Sequence, residues 1–396
     1  MCAEYRSRRD ILKLTALLTA AGAAPLLSAF NAQAQPQSDE PVRIGYLPIT
    51  DAAPLLIAHH NGYFEKAGLK SETPRLFRSW SQLAEAFISG QINVVHLLSP
   101  MTVWARFNSN IPAKVVAWNH INGSAVTVAP AINGWSDLGG KRVAIPFWYS
   151  IHNVVLQSLL RQQGLKVKTQ EAGGLAPDEV LLVVMAPSDM LPALAAGSIS
   201  GYIVAEPFNA AAEVMGVGKI LRFTGDAWQD HACCTVFMHE RDLNDRPQWS
   251  QGVVDGIVQA QLWIDNNRLE TAGILSRESG FRYTPHSKPI LTKVLAPSNK
   301  DRESYLASGA IIHPKWSEQR IGFQPYPYPS YTKALIEQLR VTTMAADNAF
   351  LQTLDPVAAA TDLVDDRFVK QAINKLGGPA VFGQPLDWQR TEVITS

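Results

Sequence analysis

The first apolar run of the chain, Leu14 to Phe30, is rich in Ala and Leu and stands apart from the patterned sequence that follows. Arg6, Arg8, Arg9 and Lys13 precede it, and Ala32-Gln33-Ala34 closes it. A cationic start, an apolar middle and small residues at a cleavage point make an export signal. The run is shorter than the ~20 residues that a bilayer core requires. The pattern therefore predicts a cleaved leader over residues 1–34 rather than a membrane anchor. The paired arginines favour the twin-arginine route, while Lys13 and the apolar run also suit the general route. Cys2 lies inside the leader and no lipid-attachment cysteine stands at the cleavage point, so a soluble chain beginning near Gln35 is expected in the periplasm.

After a polar linker at 35–41, short apolar strands alternate with amphipathic helices. Val42 to Leu47 reads as a strand, and Asp51 as the N-cap of a helix from Ala52 to about Asn61. Leu83, Ala84, Phe87 and Ile88 recur at helical spacing in a helix opened by Ser79 or Ser81. Ile92 to Leu98 is a continuous apolar run, suited to a sheet covered on both faces. A second cycle follows: strand Lys141 to Pro146, helix His152 to Gln163, strand Val180 to Met185, helix Met190 to Ala196 and strand Ile199 to Val204. Such alternation predicts an α/β class. Beyond residue 245 the pattern turns helical, with helices expected at Trp249 to Asn267, Leu269 to Ser279, Tyr331 to Ala346 and Val357 to Leu376. Phe323-Gln324-Pro325-Tyr326-Pro327-Tyr328-Pro329 has too many prolines for a helix or a central strand and predicts an ordered aromatic loop.

Charge narrows the partners. The chain balances 35 basic against 35 acidic residues, and removing a leader of net +2 leaves the remainder near −2. Nucleic-acid binding needs a basic face, so no nucleic-acid partner is expected. Only Cys233 and Cys234 lie beyond the leader, which gives no disulfide framework. The pair reads as two small core residues on a strand, because free cysteine is commonly buried.

No metal motif has a specific spacing. His59 and His60 are adjacent, so their side chains diverge on a helix. His231, Cys233 and Cys234 form a compact group, with His239 further on, but match no closed zinc spacing. The chain also lacks a P-loop, a dinucleotide fingerprint and a nucleophile elbow. What remains is a set of polar residues at strand ends and helix starts: Thr50-Asp51, Ser79-Trp80-Ser81, Ser99-Pro100, Asn122-Gly123-Ser124, Ser150-Ile151-His152-Asn153 and Ala205-Glu206-Pro207. Ligands of open α/β sheets gather beyond the carboxyl ends of the strands, so these segments predict one shared cleft.

Several phrases resemble the substrate-binding proteins of ABC importers, in the nitrate- and bicarbonate-binding branch of the nitrate/bicarbonate/sulfonate family. They are Ile44-Gly45-Tyr46-Leu47-Pro48-Ile49-Thr50-Asp51-Ala52-Ala53-Pro54-Leu55, Asn61-Gly62-Tyr63-Phe64-Glu65-Lys66-Ala67-Gly68-Leu69 and His96-Leu97-Leu98-Ser99-Pro100-Met101. Ser150-Ile151-His152-Asn153 and Ala205-Glu206-Pro207-Phe208-Asn209 complete the set. The resemblance implies a two-lobed type II periplasmic binding-protein fold with a helical C-terminal extension. Lobe 1 would comprise residues 42–127 and 238–345, lobe 2 residues 128–237, and the extension residues 346–396. It also implies two strand crossovers as a hinge, with a small polar or anionic solute held between lobes by a monomer and delivered to a membrane permease.

Trp80 matches a family tryptophan at the cleft wall, and His152 the histidine that faces the anion. Ser99 and Ser124 would donate hydrogen bonds. Glu206 would accept one from the solute or orient His152. Where nitrate-binding relatives carry a lysine, this chain has Cys234, which puts nitrate in doubt. No cofactor is expected except through the calcium of bicarbonate-binding members, for which Asp51 and Glu206 are the available carboxylates. Two rival functions share the architecture: thiamine pyrimidine-precursor synthases and nitrate/nitrite sensors. Both work in the cytoplasm, and the leader weighs against them.

Overall fold

The computed structural model describes residues 40–171, 173–316 and 319–395. The leader, its cleavage point and its twin arginine lie outside the described residues. Two sheets organise the remainder. The first has five strands in the order Arg75–Leu76, Ile44–Tyr46, Val94–Leu98, Cys234–His239 and Ala113–Trp118. The second has six, in the order Lys219–Phe223, Ser124–Val128, Gly201–Ala205, Lys141–Ile145, Glu179–Val184 and Lys166–Lys168. Each sheet mixes parallel neighbours with antiparallel ones, and the antiparallel strands are those that enter from the other half.

The chain passes between the sheets twice. Residues 119–123 link the first sheet to the second, and residues 224–233 lead back. These points fall several residues earlier than expected, so Ser124–Val128 belongs wholly to the second sheet and Cys234–His239 wholly to the first. Asn122 and Gly123 both turn with positive φ, 57° and 78°. A Cβ on Gly123 would meet Ile321 at 3.0 Å and the His120 ring at 3.1 Å, so only glycine suits this crossover.

Local sequence explains the elements that surround the expected site. Val94–Leu98 is buried throughout, as a strand covered on both faces must be. Ser79 caps the helix Trp80–Ile88 by accepting the Gln82 N–H, and Ser150 caps Ile151–Gln162 by accepting the Asn153 N–H. Asp51 does not cap a helix. It sits in a short 3-10 turn, Thr50–Ala52, fully buried.

The C-terminal half forms a third layer that straddles both sheets. The helix Pro247–Asn266 packs on Ala53–His60 and on Arg367–Lys375. Residues of the expected first lobe, however, also touch the second: Phe223 N–H donates to the Ala310 carbonyl, and Gln157 pairs with both backbone groups of Thr343 at 2.7 and 2.9 Å. The expected helix Val357 to Leu376 is two, Pro356–Leu363 and Arg367–Lys375. The break arises because Val364 and Asp365 pair with the backbone of Val115. The expected helix Tyr331 to Ala346 runs instead as Pro329–Arg340, and Lys288–Leu295 and Asn299–Ser308 are further helices. The proline-rich stretch is a loop that buries Phe323, Tyr326 and Tyr328 before that helix begins.

Candidate functional site

Asp51, His120, Ser124, His152, Cys233 and Cys234 meet where the crossovers leave the first sheet, and all are buried. Asp51 comes from the turn after the first strand. His120 lies on one crossover and Cys233 on the other. Ser124 opens a strand of the second sheet, and His152 stands in the first turn of the helix Ile151–Gln162. Cys233 precedes the strand Cys234–His239 in a bend. Neighbours on a regular strand point to opposite faces. The bend turns both thiols toward one carboxylate: Cys233 Sγ lies 3.4 Å and Cys234 Sγ 3.3 Å from Asp51 Oδ2. Both cysteines are buried core residues, as expected, but only Cys234 lies on the strand.

His120 Nε2 approaches the same Oδ2 to 2.9 Å, but its N–H direction does not meet hydrogen-bond geometry. Ser124 Oγ lies 2.9 Å from His152 Nε2, and Cys233 Sγ lies 3.9 Å from both. Several buried polar atoms here lack a partner: Asp51 Oδ1, Asn119 Oδ1, His120 Nδ1, His152 Nδ1 and both ring nitrogens of His231. Buried polar groups are ordinarily hydrogen-bonded, and six such atoms gather here.

Burial pushes the Asp51 carboxyl up to about 6, against the pull of His120. For His120 burial acts the other way, yet the Asp51 carboxylate and Cys233 hold it up at about 10. Burial disfavours the thiolate at both cysteines. The contact between the thiols then splits them, holding Cys233 well below its ordinary value and Cys234 well above. Burial lowers His231 to about 4 and keeps it neutral. The site therefore combines a carboxylate, an imidazolium, one thiolate-prone sulfur and neutral imidazole.

The side chains of the other expected residues point elsewhere, although the Ser99 N–H donates to the Cys233 carbonyl at 2.9 Å. Trp80 is buried, edge-on to His96 at 5.5 Å, with its indole N–H unpartnered. Ser99 Oγ donates to the Ala232 carbonyl and lies 2.8 Å from the Tyr331 hydroxyl. Glu206 neither orients His152 nor faces the cluster. Its carboxylate pairs with Arg320 at 2.6 Å and accepts the Ala210 N–H at 3.1 Å. Burial raises its pKa while Arg320 opposes the rise. Its backbone bridges the halves, for Thr50 donates to the Glu206 carbonyl and Glu206 N–H donates to Gly123.

Calcium does not fit these donors. It takes six to eight hard oxygens, whereas Glu206 is paired with a guanidinium and Asp51 faces two sulfurs and a ring nitrogen. His120 and Cys233 were absent from the expected site. The sequence signal for His120 was its place two residues before the Asn122-Gly123 turn, and for Cys233 its place next to Cys234.

The sequence model of the NMT1-like family matches residues 35–276. The nitrate/nitrite binding protein NrtA of Nostoc sp. is 28% identical over 286 residues, 66% of this chain and 63% of that protein. This chain thus spans less than two thirds of that relative's length. The bicarbonate-binding protein CmpA of a Synechococcus species is 26% identical over 377 residues, 86% of this chain and 79% of that protein. Among solved structures, the periplasmic nitrate-binding protein NrtA of Synechocystis superposes with a TM-score of 0.69 at 20% identity, covering 89% of this chain and 93% of that one. The two share the α/β periplasmic binding-protein fold.

Proposed function

The chain belongs to the NMT1-like family, and from that premise we propose that it is the extracytoplasmic solute-binding component of an ABC importer. It captures a small polar or anionic solute of the nitrate, bicarbonate and sulfonate class between its lobes and hands it to a membrane permease. The observation that supports this reading is the set of unpartnered buried polar atoms between the two sheets, which a solute would satisfy. His152 and Ser124 from the second half face Asp51 and Cys234 of the first, and a solute bound among them would hold the halves together. The protein acts as a monomer in the periplasm and catalyses nothing. Among the described residues no helix is long and apolar enough to cross a membrane.

Native mass spectrometry of protein purified without refolding tests the reading, together with calorimetric titration of nitrate, nitrite, bicarbonate and methanesulfonate. A co-purified small molecule, or saturable binding of one of the four, is expected. Saturation should also reduce the radius of gyration in small-angle scattering. No adduct and no binding of any of the four would overturn the proposal.

A further inference from the structure

Four side chains converge between the sheets: both thiols donate to one Asp51 oxygen, while the other Asp51 oxygen and the His120 ring stay unpartnered. The ligating atoms of Asp51, His120, Cys233 and Cys234 all lie within 4.8 Å of one another, and all four residues are buried. An ion bonded to sulfur at about 2.3 Å and to nitrogen and oxygen at about 2.0–2.2 Å would separate its tetrahedral ligands by roughly 3.3–3.8 Å. Asp51 Oδ2 is 3.4 and 3.3 Å from the two sulfurs, near that separation; its 2.9 Å from His120 Nε2 is shorter, so an ion would part the carboxylate and the ring by a few tenths of an ångström. That His120 approach misses hydrogen-bond geometry, as expected if nitrogen and oxygen both aim at a third point rather than at each other.

Electrostatics favours an occupant as well. A buried carboxylate beside two ionisable sulfurs is costly unless positive charge offsets it, and a divalent cation supplies more than one imidazole can. Two sulfurs, one imidazole and one carboxylate are a soft-to-borderline donor set, suited to a d10 ion rather than to calcium or magnesium.

We propose that Asp51, His120, Cys233 and Cys234 form a tetrahedral zinc site at the hinge, tying the first lobe to both crossovers. Four protein ligands close the coordination sphere, which makes the ion a fixture of the fold rather than its cargo. Loading releases the thiol protons to solvent. The solute then meets the groups above the ion, His152 and Ser124. The inference rests on the solute-binding reading only for the place of the site in the cleft.

The test uses the mature chain, stripped with a chelator under reducing conditions and reloaded with zinc sulfate or cobalt chloride. One ion per chain should bind, raise the melting temperature and, for cobalt, give a thiolate-to-metal charge-transfer band. The double variant Cys233→Ser, Cys234→Ser should lose the band and bind zinc more than about 100-fold more weakly. If that variant fails to fold, the wild-type cobalt spectrum and zinc protection of the two thiols from iodoacetamide decide alone. A missing cobalt band, a band that survives in the folded double variant, or calcium binding tighter than zinc would overturn the site. Solute titration of the chelator-treated protein reports on the transport reading separately.

Discussion

Arg320 reaches from the third layer to Glu206, its Nε 2.6 Å from the carboxylate, and the two are buried together. The same guanidinium bonds Glu213 and the Tyr305 hydroxyl at 3.0 and 2.8 Å. Glu206 begins the turn whose backbone bonds Thr50 of the other half. The acidic residue that looked like a solute contact therefore anchors the third layer to the point where the lobes touch.

Removing one partner leaves the other charge buried and unpaired. Arg320→Met should lower the unfolding free energy by about 3–5 kcal/mol in urea titrations. A loss below ~1 kcal/mol would mean that water reaches the Glu206 carboxylate. Glu206→Gln should restore part of the loss when combined with Arg320→Met.

His152→Ala should weaken solute binding by roughly ten- to a hundred-fold, the worth of about 1.5–3 kcal/mol for a charge-assisted hydrogen bond. The circular dichroism spectrum of the solute-free protein should not change. An affinity within twofold of wild type would remove His152 from the site. Metal-free protein should bind nitrate more weakly than ~1 mM, because Cys234 stands where the lysine of nitrate-binding relatives is expected.

His96 accepts the Leu47 N–H through Nε2 at 3.0 Å, and burial with His120 nearby lowers its pKa from 6.5 to about 3. Below 6.5 the unfolded chain takes up a proton that the folded chain refuses. Stability contributed by neutral His96 is therefore complete above that value and is lost as pH falls toward about 3. His96→Gln keeps an acceptor but does not titrate. Its stability should fall less steeply over this window, by up to ~1.4 kcal/mol per pH unit. Parallel curves for the two proteins would exclude the mechanism.

Gln157 holds both the N–H and the carbonyl of Thr343, joining a helix of the second lobe to the C-terminal half. Gln157→Ala should cost ~1–3 kcal/mol through the two backbone groups left unpaired. The thermal midpoint reads the loss, and an unchanged midpoint would show that water replaces the amide.

Export can be checked directly. The mature N-terminus should be Gln35, and Arg8→Lys with Arg9→Lys should stop export if the twin-arginine route is used. Normal secretion of the double variant would rule out that route and leave export intact.

The alternation of strand and helix up to residue 240 was legible because each strand is a short apolar run bounded by turn residues. Val94–Leu98 and Lys141–Ile145 fall inside or at the edges of the runs that predict them. Asp51, Ser124, His152 and Cys234 were expected together and do meet, but the convergence of both thiols and His120 on one carboxylate was not legible. Asp51 and the cysteines are 182 and 183 positions apart, and adjacent residues on a strand should not share a target. Only the bend before Cys234 makes them do so. Glu206 and Arg320 are 114 positions apart, so no local pattern joins them. The helical break after Leu363 depends on Val115, a partner in another layer. Periodicity predicts elements, whereas these outcomes depend on which distant backbone lies alongside.

The split of polar groups between the halves is uneven. Asp51, His120, Cys233 and Cys234 belong to the first half or to the crossovers, whereas Ser124 and His152 open elements of the second. A solute arriving at an open molecule would find one wall already assembled, its four side chains fixed around the proposed ion. How often capture succeeds would then depend on that wall and hardly on the swing of the other. How long the catch is kept would depend on Ser124 and His152 arriving afterwards. Changes at those two positions should be felt in the rate of escape far more than in the rate of entry.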